Sequence, residues 1–288
     1  MKIRLLCPVL IFAAALSLSA HPHSEAAPFP ERIGLQLYSL RGLFLQDPFA
    51  AMDLAASYGI TEVETAGTAR MTPAQFAAEL TQRGLTPVFA HVGYDALVKD
   101  FDAVLAEVEA IGARYAVIAW IPHQGDYDAE ENDRAIAHFN AWGPKFAQAG
   151  IKFGYHPHGY EFGGGKLEGD TLFDQMAQAT AGNNVSFELD VFWAVHGGAD
   201  PVALMDRYPD RWVSLHVKDI RKGAPTGLTS GHAPEMDNVA VGQGAIDWPA
   251  VLGKARDLGV RYYFVEDETP DPVKNLPPSF EYLRRLDV

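Results

Sequence analysis

The chain has 288 residues, a formal net charge of −14 and a hydrophobic content of 48%. An acidic protein of this kind is a poor partner for polyanions, so nucleic acid is not expected as a substrate or partner. The length and hydrophobic content fit one large core, as in a single α/β barrel. The sequence leaves homo-oligomerisation open.

Residues 1–27 have the features of a secretory signal peptide and its processed region. Lys2 and Arg4 form a positive n-region, and an apolar h-region follows from Leu5 to Ala15. This apolar stretch is shorter than the ~20 residues that span a bilayer, so we expect a cleavable leader and no stable membrane insertion. The sequence therefore predicts export, with the periplasm as the expected compartment.

Cleavage after Ser19 and cleavage after Ala26 both fit the small residues at the end of this leader. The single cysteine of the chain, Cys7, lies inside the leader. A mature chain without cysteine has no disulfides, no thiolate catalysis and no cysteine-ligated zinc.

Strand and helix patterns alternate from Ile33 to the C-terminus, which predicts one (β/α)8 barrel domain over residues 28–288. A doubly wound sheet is the alternative, but it normally has a glycine-rich phosphate turn after the first strand, and Tyr38-Ser39-Leu40-Arg41 is not one. The predicted strands are Ile33–Tyr38, Glu62–Thr65, Thr86–Ala90, Tyr115–Ala119, Lys152–His156, Val185–Asp190, Trp212–Val217 and Tyr262–Glu266. The clearest predicted helices are Pro48–Tyr58, Pro73–Arg83, Leu97–Ile111, Glu130–Ala149 and Pro249–Leu258.

Four strands in the second half of the chain end in side chains that can bind a metal. These are His156, Asp190, His216 and Glu266. Parallel strands followed by helices place their carboxyl ends on one face of a barrel, where such side chains converge. Two imidazoles and two carboxylates predict a site for one divalent metal ion.

Side-chain parity adds further polar residues to the same inward face. Glu188 shares parity with Asp190, and Lys218 shares parity with His216. Glu188 is interpreted as a structural partner deeper in the barrel. Lys218 and His158 are expected to contact the substrate or a neighbouring carboxylate.

Other inward-facing strand ends supply candidate substrate-binding residues. Gln36, Glu64 and His91 have the required parity, and Trp120 and Trp193 could stack on a sugar ring. The segment from Ile220 to Gly244 has no strong periodicity and follows the seventh strand, so it is expected to form a lid or substrate loop over the barrel mouth.

Several motifs, in order along the chain, resemble the sugar phosphate isomerase/epimerase family of xylose isomerase-like barrels. They include Ile33-Gly34-Leu35-Gln36-Leu37-Tyr38, Gly154-Tyr155-His156-Pro157-His158-Gly159, Glu188-Leu189-Asp190-Val191-Phe192-Trp193 and Leu215-His216-Val217-Lys218-Asp219. The resemblance implies a metal-dependent enzyme. In this family Mn²⁺, Mg²⁺, Co²⁺ or Zn²⁺ is bound by Glu, Asp, His and Glu at the ends of strands five to eight.

The last three of these ligands correspond to Asp190, His216 and Glu266, whereas strand five has His156 where sugar epimerases have glutamate. This departure weakens the two-glutamate proton shuttle of the epimerases. The resemblance implies Glu266 as ligand and base, with His158 or Glu161 as its acid–base partner. Lys218 would then stabilise the developing oxyanion.

The predicted substrate is a small unphosphorylated sugar or glycoside, because sugar phosphates belong to the cytoplasm. The first functional hypothesis is isomerisation or epimerisation through an enediolate. The second is lyase or hydrolase action on a 3-keto-glycoside, by α-proton abstraction and elimination. A non-catalytic carbohydrate-binding barrel is a third hypothesis of a different class.

Overall fold

A computed structural model describes residues 33–165 and 170–288. The predicted signal peptide lies outside these residues. Eight parallel strands form a closed barrel, as predicted. The barrel strands are β1 (Ile33–Gln36), β2 (Glu62–Thr65), β3 (Thr86–His91), β4 (Tyr115–Ile118), β5 (Lys152–Tyr155), β6 (Val185–Asp190), β7 (Trp212–Val217) and β10 (Tyr262–Val265). Their order around the barrel is β1-β10-β7-β6-β5-β4-β3-β2.

Helices follow the strands and cover the outside of the barrel. They are α1 (Arg41–Gln46), α2 (Pro48–Ser57), α3 (Pro73–Gln82), α4 (Tyr94–Lys99), α5 (Phe101–Ile111), α6 (Ala129–Gln148), α7 (Leu172–Ala179), α8 (Val191–His196), α9 (Pro201–Arg207), α10 (Trp248–Asp257) and α11 (Pro272–Arg285). Within the described part of the chain, no helix is long and apolar enough to cross a membrane.

The predicted continuous helix Leu97–Ile111 is wrong, because the chain forms α4 and α5 with a break at Asp100. Asp100 has an extended ψ of 89°, and its carboxylate accepts a hydrogen bond from the Ala103 amide at 3.0 Å. An aspartate that caps a new helix in this way competes with continuation of the preceding one.

Two β-bulges set the inward face of the barrel. The β2–β3 register skips Val88, and the β6–β7 register skips Val213. A bulge places two consecutive residues on one side of a strand. The second bulge lets Trp212 pack with the helix-side core while Ser214 and His216 turn toward the barrel axis.

Aromatic side chains fill the lower part of the barrel interior. The rings of Phe89 and Tyr115 stack with centroids 4.1 Å apart, and Phe264 contacts Phe89 edge-on at 5.1 Å. These rings belong to one buried cluster that is separate from the helix-side core. The ionisable residues of the barrel mouth lie above this layer, at the carboxyl ends of the strands.

The segment after β7 is largely irregular, as predicted, and contains a short antiparallel pair, β8 (Asp219–Ile220) and β9 (Asn238–Val239). Buried Asp219 anchors its far end. Its Oδ2 accepts from the amides of Gly242 and Gly244 at 2.9 and 3.0 Å, and from the Trp248 indole at 2.9 Å. Its Oδ1 accepts from the Ile220 amide at 2.9 Å.

Both glycines in this turn have a structural requirement. Gly242 has a φ of +87°, which favours glycine. At Gly244, a Cβ atom would lie 2.1 Å from Asp219 Oδ1. Asp219 thus holds the loop through both carboxylate oxygens at once.

We expect Asp219→Asn to lower the free energy of unfolding by about 2–3 kcal/mol, because an amide NH2 would face donors that now share a carboxylate oxygen. Denaturant unfolding followed by tryptophan fluorescence measures this loss. Asp206→Asn is the matched control, since Asp206 forms an exposed ion pair with Lys254. Equal stability of the two variants would show that the Asp219 contacts contribute little.

Candidate functional site

A buried group of ionisable side chains, here called the polar cluster, occupies the barrel mouth. Every barrel strand except β1 and β4 contributes to it directly or through the residue that follows it. Its members are Glu64, His91, His156, Glu188, Asp190, His216, Lys218 and Glu266. All of the predicted metal ligands are therefore brought together.

Glu188 lies at the centre of the polar cluster. Its Oε2 is 3.2 Å from His91 Nε2, 3.2 Å from His156 Nδ1 and 3.1 Å from His216 Nε2. Its Oε1 accepts a hydrogen bond from the Ser214 hydroxyl at 2.6 Å. Glu188, which was predicted to be a structural partner, thus contacts three imidazoles. Side-chain parity alone did not indicate this central position.

Asp190 is oriented by the helix that it caps. Its Oδ1 accepts from the Trp193 amide at 2.8 Å, in the first turn of α8. This leaves Oδ2 facing His156 Nε2 at 3.6 Å and His216 Nδ1 at 3.7 Å. Both Asp190 Oδ2 and His156 Nε2 are buried and have no hydrogen-bond partner among the described residues.

Glu266 closes the opposite side of the polar cluster. Its Oε2 lies 3.2 Å from His216 Nδ1 and 3.2 Å from Lys218 Nζ. Lys218 is fully buried and also pairs with Glu268 at 3.0 Å. His216 Nε2 lies 2.5 Å from Glu64 Oε2, so that imidazole lies between two carboxylates.

The donor set of the polar cluster fits a divalent cation. Ligand atoms of Asp190, His216 and Glu266 all lie within 4.8 Å of one another. A second group, His91, His156, Glu188 and His216, meets the same condition. Buried oxygen and nitrogen atoms without a hydrogen-bond partner raise the free energy of the folded protein. A divalent metal of borderline softness binds both kinds of atom. The polar cluster could therefore hold one metal ion.

Charge pairing dominates the protonation of these groups. Burial opposes the charged form of His91, but the Glu64 and Glu188 carboxylates outweigh it and raise the His91 pKa to about 10. The same balance raises the pKa of His216 well above its usual value. Although burial raises the Glu188 and Glu266 pKa values, the neighbouring cations lower both well below the usual range. The polar cluster is thus an ion network at neutral pH.

Aromatic side chains surround the polar cluster at the mouth. The His158 ring lies 5.1 Å from the Trp193 ring and 5.6 Å from the Trp120 ring. The ring of His232, from the segment after β7, lies 5.4 Å from the Trp120 ring, so this segment reaches the aromatic residues of the mouth. His158 Nδ1 and Trp193 Nε1 have no hydrogen-bond partner in the described part of the chain.

The surroundings of His158 disfavour its charged form. Burial, together with the nearby His156 and Lys218 side chains, lowers its pKa well below the usual value. This shift is opposite to the raised pKa values of His91 and His216.

Glu161 lies behind the mouth and outside the polar cluster. Its carboxylate accepts from the His158 amide at 3.1 Å and from the Tyr155 hydroxyl. Burial raises its pKa to about 8, although the His158 and Gly159 amides oppose this shift. The carboxylate thus supports the loop that carries His158.

Gln36 is placed beside His91. Its Nε2 lies 3.4 Å from His91 Nδ1, and its Oε1 accepts from the Tyr38 amide at 3.0 Å. Together with Glu64, it orients the imidazole of His91. The candidate substrate-binding residues of β1, β2 and β3 are therefore in mutual contact at the edge of the polar cluster.

We expect Glu188→Gln to lower the free energy of unfolding of the metal-free protein by about 3 kcal/mol, because buried imidazolium groups lose their counter-charge. Urea unfolding in the presence of a chelator measures the change. Glu109→Gln, on the exposed face of α5, is the control. A Glu188→Gln variant as stable as this control would contradict the ion network.

Comparisons with known proteins identify relatives of this chain. The chain is 28% identical over 142 residues to the rhizopine catabolism protein MocC of Rhizobium meliloti, which covers 47% of the chain and 42% of MocC. It is 28% identical over 153 residues to the inosose dehydratase of Geobacillus kaustophilus, covering 48% of the chain and 47% of that protein. The chain thus spans less than half the length of these two relatives.

A solved structure shares the fold. The sugar phosphate isomerase/epimerase of Parabacteroides distasonis superimposes with a TM-score of 0.73 at 24% identity, covering 88% of this chain and 98% of that one. The sequence model of the xylose isomerase-like TIM barrel family matches residues 52–286. The resemblance inferred from the motifs is confirmed, and the chain belongs to the xylose isomerase-like TIM barrel family.

Proposed function

We propose that this protein is a lyase that removes the proton next to the carbonyl of an unphosphorylated keto-sugar or keto-glycoside and expels the group on the neighbouring carbon. This proposal rests on a difference between two candidate acid–base groups at the mouth, His158 and Glu266. Nδ1 of the His158 imidazole has no hydrogen-bond partner among the described residues, while the carboxylate of Glu266 is paired with His216 and Lys218. Elimination needs only one well-placed base.

His158 would accept the proton from the carbon next to the carbonyl. The electron pair of that C–H bond moves into the carbonyl group, and the Nζ ammonium of Lys218 stabilises the resulting enolate oxygen. Return of the electrons breaks the C–O bond at the next carbon. The His158 imidazolium then donates its proton to the departing oxygen, which leaves as water or an alcohol.

One divalent ion would be held by Asp190, His216 and Glu266, with His156 as the fourth ligand, and when bound it would supply Lewis-acid polarisation of substrate oxygens. Glu188 and Glu64 would orient the ligand imidazoles, as outer-shell carboxylates commonly do. The orphaned atoms Asp190 Oδ2 and His156 Nε2 support this ligand set.

The substrate class rests on the walls of the mouth and on a relative's name. Trp120 and Trp193 offer apolar surfaces suited to the face of a sugar ring. One curated relative is named as an inosose dehydratase, which is a lyase. The predicted leader adds that an exported protein would meet unphosphorylated sugars.

Isomerisation or epimerisation is the second candidate function. It is favoured by the presence of two acid–base groups, His158 and Glu266, on different strand ends of the same mouth. An epimerase requires a base on each face of the reacting carbon, so Glu266 would have to release Lys218 during turnover.

We expect His158→Gln to lower the rate of elimination by roughly 10²–10⁴-fold, because the proton acceptor is lost. The assay incubates the protein with 3-keto-glycosides and inosose in D2O, and mass spectrometry follows loss of the leaving group. His138→Gln is the matched control, since His138 hydrogen-bonds Tyr94 away from the mouth. Deuterium could be incorporated at the reacting carbon with inversion of its configuration and without loss of the leaving group. That result would favour the epimerase. Binding without any exchange would overturn both in favour of a carbohydrate-binding barrel.

We expect the purified protein to contain one equivalent of a divalent metal and His216→Ala to lose it, because this imidazole contacts both sides of the polar cluster. Inductively coupled plasma mass spectrometry after dialysis measures the content, with Mn²⁺, Mg²⁺, Co²⁺ and Zn²⁺ offered separately. His138→Ala should retain the ion. Unchanged metal content in His216→Ala would contradict the assigned ligand set.

A further inference from the structure

A cavity of about 580 Å³ lies beside the barrel mouth, outside the polar cluster. Its walls come from the turn and helix α1 after β1 and from the loop after β2. Here we call it the β1–β2 groove, lined among others by Leu37, Tyr38, Arg41, Phe44, Leu45 and Arg70. Its volume is in the range of small-molecule sites.

The β1–β2 groove begins where the polar cluster ends. Tyr38 follows Gln36 by two residues, and Ala66 follows Glu64 by two residues. Two residues span at most about 7 Å. Gln36 and Glu64 contact His91 inside the barrel, whereas Tyr38 and Ala66 line the groove. The β1–β2 groove is therefore adjacent to the polar cluster along both strands.

The walls of the β1–β2 groove favour an aromatic ring. Leu45 is 71% exposed and Tyr38 is 43% exposed, although both are large and hydrophobic. Phe44 packs partly against the buried ring of Phe76, with centroids 6.4 Å apart. Apolar side chains left exposed around a concave surface are typical of ligand sites. A sugar ring alone, with its many hydroxyl groups, would match these walls poorly.

Two cations flank this apolar surface. Arg41 lies over the Tyr38 ring at 4.6 Å and donates to the Tyr38 carbonyl at 3.3 Å. Arg70 is exposed at the groove wall. Within residues 33–165 and 170–288, neither guanidinium forms an ion pair, in a chain of net charge −14. Guanidinium groups match carboxylate, sulfate and phosphate geometry.

The backbone at Arg70 is held in an uncommon conformation. Ala69 and Arg70 have φ values of 50° and 64°, which cost about 1 kcal/mol or more for residues with a Cβ atom. A turn stabilises them, in which the Met71 amide donates to the Thr68 carbonyl at 2.9 Å and the Thr68 hydroxyl donates to the Met71 carbonyl at 3.0 Å. This turn fixes Arg70 at the groove.

From these observations we infer that the β1–β2 groove binds an aromatic group with an anionic substituent, as the aglycone of a glycoside whose sugar ring occupies the polar cluster. The link to the sugar rests on the proposed function, whereas binding of the aromatic anion does not. The leaving alcohol would then be a phenol that carries a carboxylate.

The test is isothermal titration of the full chain with 4-hydroxybenzoate as the probe, and with the neutral 4-hydroxybenzyl alcohol in parallel. We expect the anion to bind more tightly than the neutral compound, and Arg70→Gln to weaken the anion roughly tenfold. Arg256→Gln is the matched control, because Arg256 is an exposed arginine paired with Asp257. Equal binding of both probes, or wild-type affinity in Arg70→Gln, would overturn the inference.

Two further variants locate the bound probe. Leu45→Asp should also weaken 4-hydroxybenzoate, since it places a negative charge on the groove wall. His216→Ala should leave the affinity unchanged, because the probe does not depend on the polar cluster. Loss of binding in His216→Ala would place the anion at the metal site and contradict the groove. The wild-type protein could eliminate keto-glycosides while Arg70→Gln binds the probe as tightly as the wild type. That result would support the proposed function and refute only the inferred binding site in the β1–β2 groove.

Discussion

The structure of the barrel mouth depends on charge neutralisation around Glu188. Burying a carboxylate without a partner is prohibitively costly, and several carboxylates meet here within one small volume. The imidazoles of His91 and His216 offset that cost by taking up protons. A bound divalent ion would replace these protons, because metal ligands must be deprotonated. The same side chains can thus be held in place with or without an ion, so the site is preformed.

The neutralisation requires side chains from strands that are far apart in sequence to point to one spot. Regular alternation alone cannot achieve this on β7, since Trp212 must face the helices while Ser214 and His216 face the axis. The bulge at Val213 reconciles these demands, and the bulge at Val88 lies below His91 in the same way. The bulges at Val88 and Val213 therefore determine which residues of β3 and β7 face the barrel axis.

Much of this fold could be predicted from hydrophobic pattern. The bounds of β2, β6 and β7 are confirmed because apolar runs between turn signals set their ends. The convergence of His156, Asp190, His216 and Glu266 followed from strand polarity. Helix α8 was not predicted, since its start depends on a cap by Asp190, itself read as a ligand. The position of Glu161 was equally inaccessible, because it depends on a loop turn rather than on periodicity.

The residue at the end of β5, His156, has the largest effect on the chemistry of the site. A glutamate there would face Glu266 across the mouth and give two equivalent proton carriers. His156 instead faces carboxylates with both ring nitrogens, Nδ1 toward Glu188 at 3.2 Å and Nε2 toward Asp190 at 3.6 Å. The proposed elimination therefore assigns proton transfer to His158, whose amide is anchored by Glu161 and whose ring lies beside Trp193. In the proposed lyase, a single base would take the proton from carbon and pass it to the departing oxygen on the same face, whereas inversion would require a second base on the opposite face.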